Sequence, residues 1–160
     1  MPTNHQPVKD FLLDYLPMAM ENKNRLARLN DMRDAAGGLT GILENDGSAY
    51  TAGNSHKMEL AVERYLEYEK KITPILNSNI QRMDKIETMV NAMPDYLQRE
   101  IIRLKYLDPS KENVCRPRRW SEVSICLYGS SERKYMESIQ REHKKALKWL
   151  EQSYPTVYME

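Results

Sequence analysis

Ser130-Ser131-Glu132-Arg133-Lys134 begins a stretch in which polar side chains return at three- and four-residue steps, at Glu137, Gln140 and Arg141. This pattern points to recognition of a ligand, not to catalysis. A guanidinium can donate two parallel hydrogen bonds to O6 and N7 of guanine, and a carboxylate can accept from the amino group of cytosine. Lysine and arginine can also hold phosphate oxygens and so fix orientation. On this reading Arg133 and Glu132 face base edges, and Lys134 and Arg141 face phosphates. A second cationic set, Arg116, Arg118 and Arg119, lies upstream in the segment 108–119 and suits phosphate contacts.

Such a set works only on a rigid support, and the flanking sequence supplies one. Met93-Pro94-Asp95 is a helix start, since proline is tolerated at the first helical position and aspartate suits the positive end of the helix dipole. Leu97, Ile101, Ile102 and Leu104 then share a face. Trp120, Val123, Ser124 and Leu127 follow at offsets of zero, three, four and seven, the period of an apolar helical stripe. Tyr128-Gly129-Ser130-Ser131 breaks that helix, with glycine free to turn left-handed and either serine able to cap the next helix. The last helix starts at Ser130 or Ser131. It carries Tyr135, Ile139, Ala146 and Leu150 inward and Arg133, Lys134, Arg141, Lys144, Lys145 and Lys148 outward. His143 is expected to face solvent or DNA, and Cys126 to be a small buried side chain.

The order of these parts resembles region 4 of the sigma-70 family, carried by MPDYLQREIIRLKYLD, then WSEVSICLYGSSERKYMESIQ, then KKALKWL. With LARLNDMRDAAGGLTG and NSHKMELAVERYLEYEKKI upstream, the layout is closer still to the ArpU/RinA-type late-transcription regulators of phages and prophages in Gram-positive hosts. The resemblance implies an all-α fold in which an N-terminal helical hairpin and a long helix lead into a C-terminal helix-turn-helix. It also implies a sequence-specific regulator of late or prophage genes that binds double-stranded DNA, with bacterial RNA polymerase as a partner in the host cytoplasm. The pattern departs in two places. Tyr128 intervenes between the stripe leucine and Gly129, and the segment 108–119 is long and basic, suited to a wing or arm.

Charge is distributed to match. Residues 1–93 hold eleven Lys/Arg against thirteen Asp/Glu, whereas 94–150 hold thirteen against eight, so a net charge of +1 conceals a cationic C-terminal part. Phosphate neutralisation dominates nonspecific DNA affinity, so this local excess matters more than the sum. Upstream, Val8, Phe11, Leu12, Tyr15 and Leu16 form a stripe that ends at Pro17, where a helix can open. Leu26, Leu29, Met32 and Ala36 continue inward until Gly37-Gly38, and a mobile loop is expected over about 37–55. From His56 to Asn91, Met58, Val62, Tyr65, Ile72, Leu76, Met83, Ile86 and Val90 mark one long helix, bent near Pro74 and paired with 21–36 as an antiparallel hairpin. Its surplus stripe suits either a homodimer or packing within a monomer.

The expected domains are a helical region over 1–91, a DNA-binding module over 92–152 and a tail over 153–160. No apolar run is long enough to cross a bilayer, and the first residues lack a signal-peptide layout. His5, His56 and His143 are scattered, and Cys115 and Cys126 make no metal set. No phosphate loop, nucleophile elbow or paired-acid constellation is present. Neither an enzyme nor a cofactor is therefore expected. Two alternatives remain beside the regulator: a small-terminase-like DNA-recognition subunit of phage packaging, and a polymerase-docking protein that does not read DNA.

Overall fold

The computed structural model describes residues 5–45, 52–112 and 114–159, with side chains from 38 to 45 and 52 to 55 and at 159 excepted, and all of its regular structure is helical. Six α-helices follow in order: α1 (Gln6–Leu13), α2 (Tyr15–Asn45), α3 (Ala52–Asn91), α4 (Tyr96–Ile102), α5 (Trp120–Tyr128) and α6 (Arg133–Ser153). A π-helical turn, Arg103–Leu107, extends α4, and a 3₁₀ turn, Val157–Met159, follows α6. The chain forms two compact units, Met1–Met20 with Gln81–Glu160, and Glu21–Ile80, so α2 and α3 each supply residues to both.

In the unit built from both ends, Val8, Phe11, Leu12, Tyr15 and Leu16 are all buried, and Pro17 stands in the first turn of α2, where its missing N–H costs nothing. They pack with Ile86, Val90, Met93, Ile102, Tyr106, Ala146, Leu147 and Leu150 in one core. Tyr158 packs edge-on against Phe11 with ring centroids 5.4 Å apart, and its hydroxyl donates to the Leu150 carbonyl at 3.0 Å. Arg82 pairs with Asp14 at 2.7 Å and stands over the Phe11 ring.

A smaller cluster joins α4, α5 and α6: Ile101, Val123 and Ile139 are buried, with Leu97, Leu104, Trp120 and Leu127 against them. Ile101 and Ile102 are adjacent and so point into different cores. Asp95, rather than Pro94, opens α4, its carboxylate accepting from the Gln98 N–H at 2.9 Å. The π turn is closed by Asp108 N–H donating to the Arg103 carbonyl at 2.8 Å, five residues back.

In the unit Glu21–Ile80, α2 and α3 run antiparallel. Asn22 donates to the Leu76 carbonyl and accepts from Asn79, Arg28 stands over the Tyr68 ring, and Arg33 donates to the Tyr65 hydroxyl, so residue numbers fall on α3 as they rise on α2. Leu29, Ala36 and Ile72 are buried between them, while Leu26 and Val62, expected inward, are exposed. Gly37-Gly38 does not end the helix: α2 continues to Asn45, and α3 begins at Ala52. A glycine permits the left-handed turn but does not impose it, and among the described residues only Gly129 has positive φ. The remainder of the expected loop, 46–51, lies outside the described residues. Pro74 sits inside α3, and the neighbouring Thr73 hydroxyl donates to the Glu69 carbonyl at 2.6 Å.

Candidate nucleic-acid interface

The cationic helix is positioned by the turn that precedes it. Tyr128 ends α5, and Gly129 takes the left-handed conformation (φ 70°) as its N–H donates to the Ile125 carbonyl at 2.9 Å. A residue with Cβ would meet no neighbour there but would be strained by the backbone alone. The Ser124 hydroxyl, fully buried in the α5 stripe, donates to the Ser130 carbonyl. A small polar residue in an apolar stripe thus pins the turn from beneath. Ser130 Oγ in turn accepts from the Glu132 N–H at 3.2 Å.

Ser130 and Ser131 therefore belong to the turn and not to the helix, which starts at Arg133 with Glu132 as its N-cap residue. No side chain caps it; the Glu132 carbonyl accepts from Tyr135 and Met136. Tyr128, which stands between Leu127 and Gly129, stacks on Tyr135 across the turn, ring centroids 5.0 Å apart and planes at 18°. Tyr135 is accordingly half-buried rather than part of the core, and Lys134 Nζ stands 4.9 Å from its centroid.

Beyond the turn, α6 is divided lengthwise. Ile139, His143, Ala146, Leu147 and Leu150 are buried, and Arg133, Lys134, Glu137, Gln140, Arg141, Lys144, Lys145 and Lys148 are exposed. Arg133 donates from Nε to Glu137 at 2.8 Å, yet its side chain is 89% exposed, so the pair is weak and easily exchanged for another acceptor. Lys134 lies 3.5 Å from Glu132 in the same condition. Glu137, Gln140, Arg141 and Lys144 line one shallow groove along the helix.

His143 does not face outward. It is only 6% exposed, hydrogen-bonded to Tyr106 (Nε2 to Oη, 2.7 Å), stacked on that ring and met edge-on by Trp120 at 4.7 Å. Burial pushes its imidazole down to about 3, with help from nearby Lys9, Lys105, His5 and Lys144. Burial also pushes the Tyr106 phenol up. The π turn places Lys105 beside this group, its Nζ 4.5 Å from the Trp120 centroid and donating to the Arg118 carbonyl. Burial lowers the Lys105 ammonium, and nearby Glu122 opposes that effect.

The segment 108–119 is tied down at both ends. Ser110 donates to Glu122 at 3.0 Å, and the Arg118 N–H donates to the Lys105 carbonyl at 3.3 Å. Arg116 and Arg119 are exposed, but Arg118 turns into the segment. Its guanidinium donates to the Pro109 carbonyl and to Cys126 Sγ, at 3.3 and 3.0 Å, and its Nε is buried without a partner. The arginine expected to hold a phosphate is a fastener of its own loop. Arg118→Ala should lower stability by about 1–3 kcal/mol, and Arg116→Ala should leave it unchanged in urea denaturation. Cys126 is exposed, because it falls off the stripe of Val123, Ser124 and Leu127.

Among the described residues no three His, Cys, Asp or Glu side chains gather as a metal site would need, and no helix is long and apolar enough to cross a membrane. Comparison with protein-family models, with curated proteins and with solved structures gave no match.

Proposed function

We propose that this chain is a sequence-specific DNA-binding transcription regulator in which α5, the turn and α6 act as a sigma-70 region 4-like helix-turn-helix, with α6 entering the major groove. The observation that supports it best is the outer face of α6, where Arg133, Lys134, Arg141, Lys144, Lys145 and Lys148 are all exposed on a helix fixed from behind by buried side chains. The start of α6 adds to this. Cations in a first turn oppose the helix dipole at a cost of about 0.3–1 kcal/mol each. Arg133 and Lys134 stand there with no acid in that turn. An approaching phosphate backbone converts the cost into attraction, for both the side chains and the free N–H groups.

Arg133 and Glu132 read bases in this proposal, and Lys134, Arg141, Arg116 and Arg119 set orientation. The resemblance noted in the sequence extends it to late or prophage genes, activated together with bacterial RNA polymerase. Selection from randomised duplexes followed by titration tests the reading. Arg133→Ala should cost about 1–3 kcal/mol on the selected site and relax base preference at one position. Failure of the wild-type protein to retain any duplex at low salt sinks the proposal; an unchanged preference in the variant sinks only the role of Arg133.

A further inference from the structure

Within 21–80, the described part of the α2–α3 hairpin encloses few large apolar side chains. Among the described residues of 21–80, the large apolar side chains that are buried are Leu29 and Ile72, whereas Leu26, Leu60, Val62, Leu66 and Ile80 are 45, 37, 39, 55 and 47% exposed. All of these but Leu60, which lies about 120° round α3 from Ile72 in the opposite sense, share one side. At 3.6 residues per turn, Val62, Leu66 and Ile80 lie about 80–120° round α3 from Ile72, and Leu26 lies about 60° round α2 from Leu29 in the same sense. Because the two helices are antiparallel, equal senses of rotation bring both shoulders to one side of the hairpin. Leu76, half-buried, lies between the inward stripe and this face. Arg33 and Tyr65, which border it, are already hydrogen-bonded to one another.

The charges that flank the face are sorted by end. Glu59 and Glu63 on α3 and Asp34 on α2 are exposed along the end near Val62, and Lys70 on α3 and Lys23 on α2 are exposed along the rest, towards Ile80. Glu69 and Thr73 lie on the same side, about 60° and 100° round α3 from Ile72, and Glu69 is near Arg33; a partner laid over the face must therefore be apolar beside Val62, Leu66 and Ile80, basic at one end and acidic at the other. We infer that the occupant is a second copy of this chain, related by a two-fold axis that lays two hairpins antiparallel as a four-helix bundle. That operation sets the acidic end of each face over the basic end of the other. The result is the isologous self-complementarity that a closed dimer requires. The hairpin as a whole favours it too, with eight Lys/Arg against nine Asp/Glu over 21–80 and so almost no net charge to repel a copy of itself.

The test is the mass of the full chain in solution by sedimentation, with folding followed by helicity and thermal melting. The wild-type protein should have twice the 18.8 kDa of one chain. Leu66→Glu with Ile80→Glu replaces side chains exposed in the single chain, so helicity should be kept while association weakens about 100-fold or more, since two carboxylates per copy would be buried. Glu59→Lys with Glu63→Lys should also separate the copies. Adding Lys23→Glu and Lys70→Glu to that variant should restore the dimer, an outcome that a purely structural role for these residues would not give. A wild-type monomer at high micromolar concentration overturns the inference, as does a dimer indifferent to Leu66→Glu and Ile80→Glu, or charge reversal without rescue.

Discussion

As the pH falls from 6.5 towards 3, the unit that holds α6 should lose on the order of 4 kcal/mol of stability, at about 1.4 kcal/mol per pH unit, from His143 alone. The sign follows from the direction of the shift. The folded imidazole is held well below its unfolded value, so the unfolded chain takes up a proton that the native one refuses. The contribution is complete above pH 6.5 and is lost progressively below it. Protonation has no inexpensive route, because the ring is enclosed by Tyr106 and Trp120 and faces Lys9, Lys105 and Lys144. His143→Phe keeps an aromatic ring between those two and removes the titration. At neutral pH it should be less stable by about 1–3 kcal/mol, the cost of leaving the Tyr106 hydroxyl unpaired. Between pH 6.5 and 4.5 its stability should change by about 1.4 kcal/mol per unit less than that of the wild type. Parallel pH profiles in urea denaturation would show that His143 does not titrate from a buried site.

The same residue shows where the sequence was legible and where residue type obscured it. His143 stands four residues after Ile139 and three before Ala146, so its position already placed it on the inward stripe; its polarity and its basic neighbours suggested the opposite. What the periodicity could not supply was Tyr106 as a partner, which the π turn brings within reach. Cys126 failed in reverse, a residue type that is commonly buried on a face that is not. The α5 stripe was legible because Trp120, Val123, Ser124 and Leu127 agree in both spacing and size. Gly37-Gly38 misled because a glycine pair marks a permitted break, and only the surrounding chain decides whether it is used. Residues 153–160 carry no period to read, since Tyr158 is held by the Phe11 ring, far away in sequence. For the candidate site, exposure of Arg133, Gln140 and Arg141 followed from the helical period. The inward turn of Arg118 did not, because it depends on a carbonyl, Pro109, that loop geometry alone brings close.

If α6 docks in the major groove, affinity for a selected duplex should fall by about 10²–10³-fold between roughly 50 and 200 mM salt, because five or so phosphate contacts each contribute about 0.9 to the slope of log K against log salt. The candidates are Lys134, Arg141, Lys144 and Lys148 on α6 with Arg116 and Arg119 from the preceding loop, all exposed. Replacing Arg141, Lys144 and Lys148 together by glutamine isolates the positioning part of the surface. These side chains lie on the solvent side of a helix whose packing rests on Ile139, Ala146, Leu147 and Leu150, so melting behaviour should stay within about 0.5 kcal/mol of the wild type. The salt slope should drop by about 2.7, and the preferred sequence should not change, since phosphate ligands carry no base information. Arg133→Ala should show the complementary pattern, with altered base preference and a nearly unchanged slope. An unaltered slope in the triple variant would mean that DNA meets another face of the molecule. A changed base preference would instead mean that α6 enters the groove further along its length, with Arg141 and not Arg133 at the base edges.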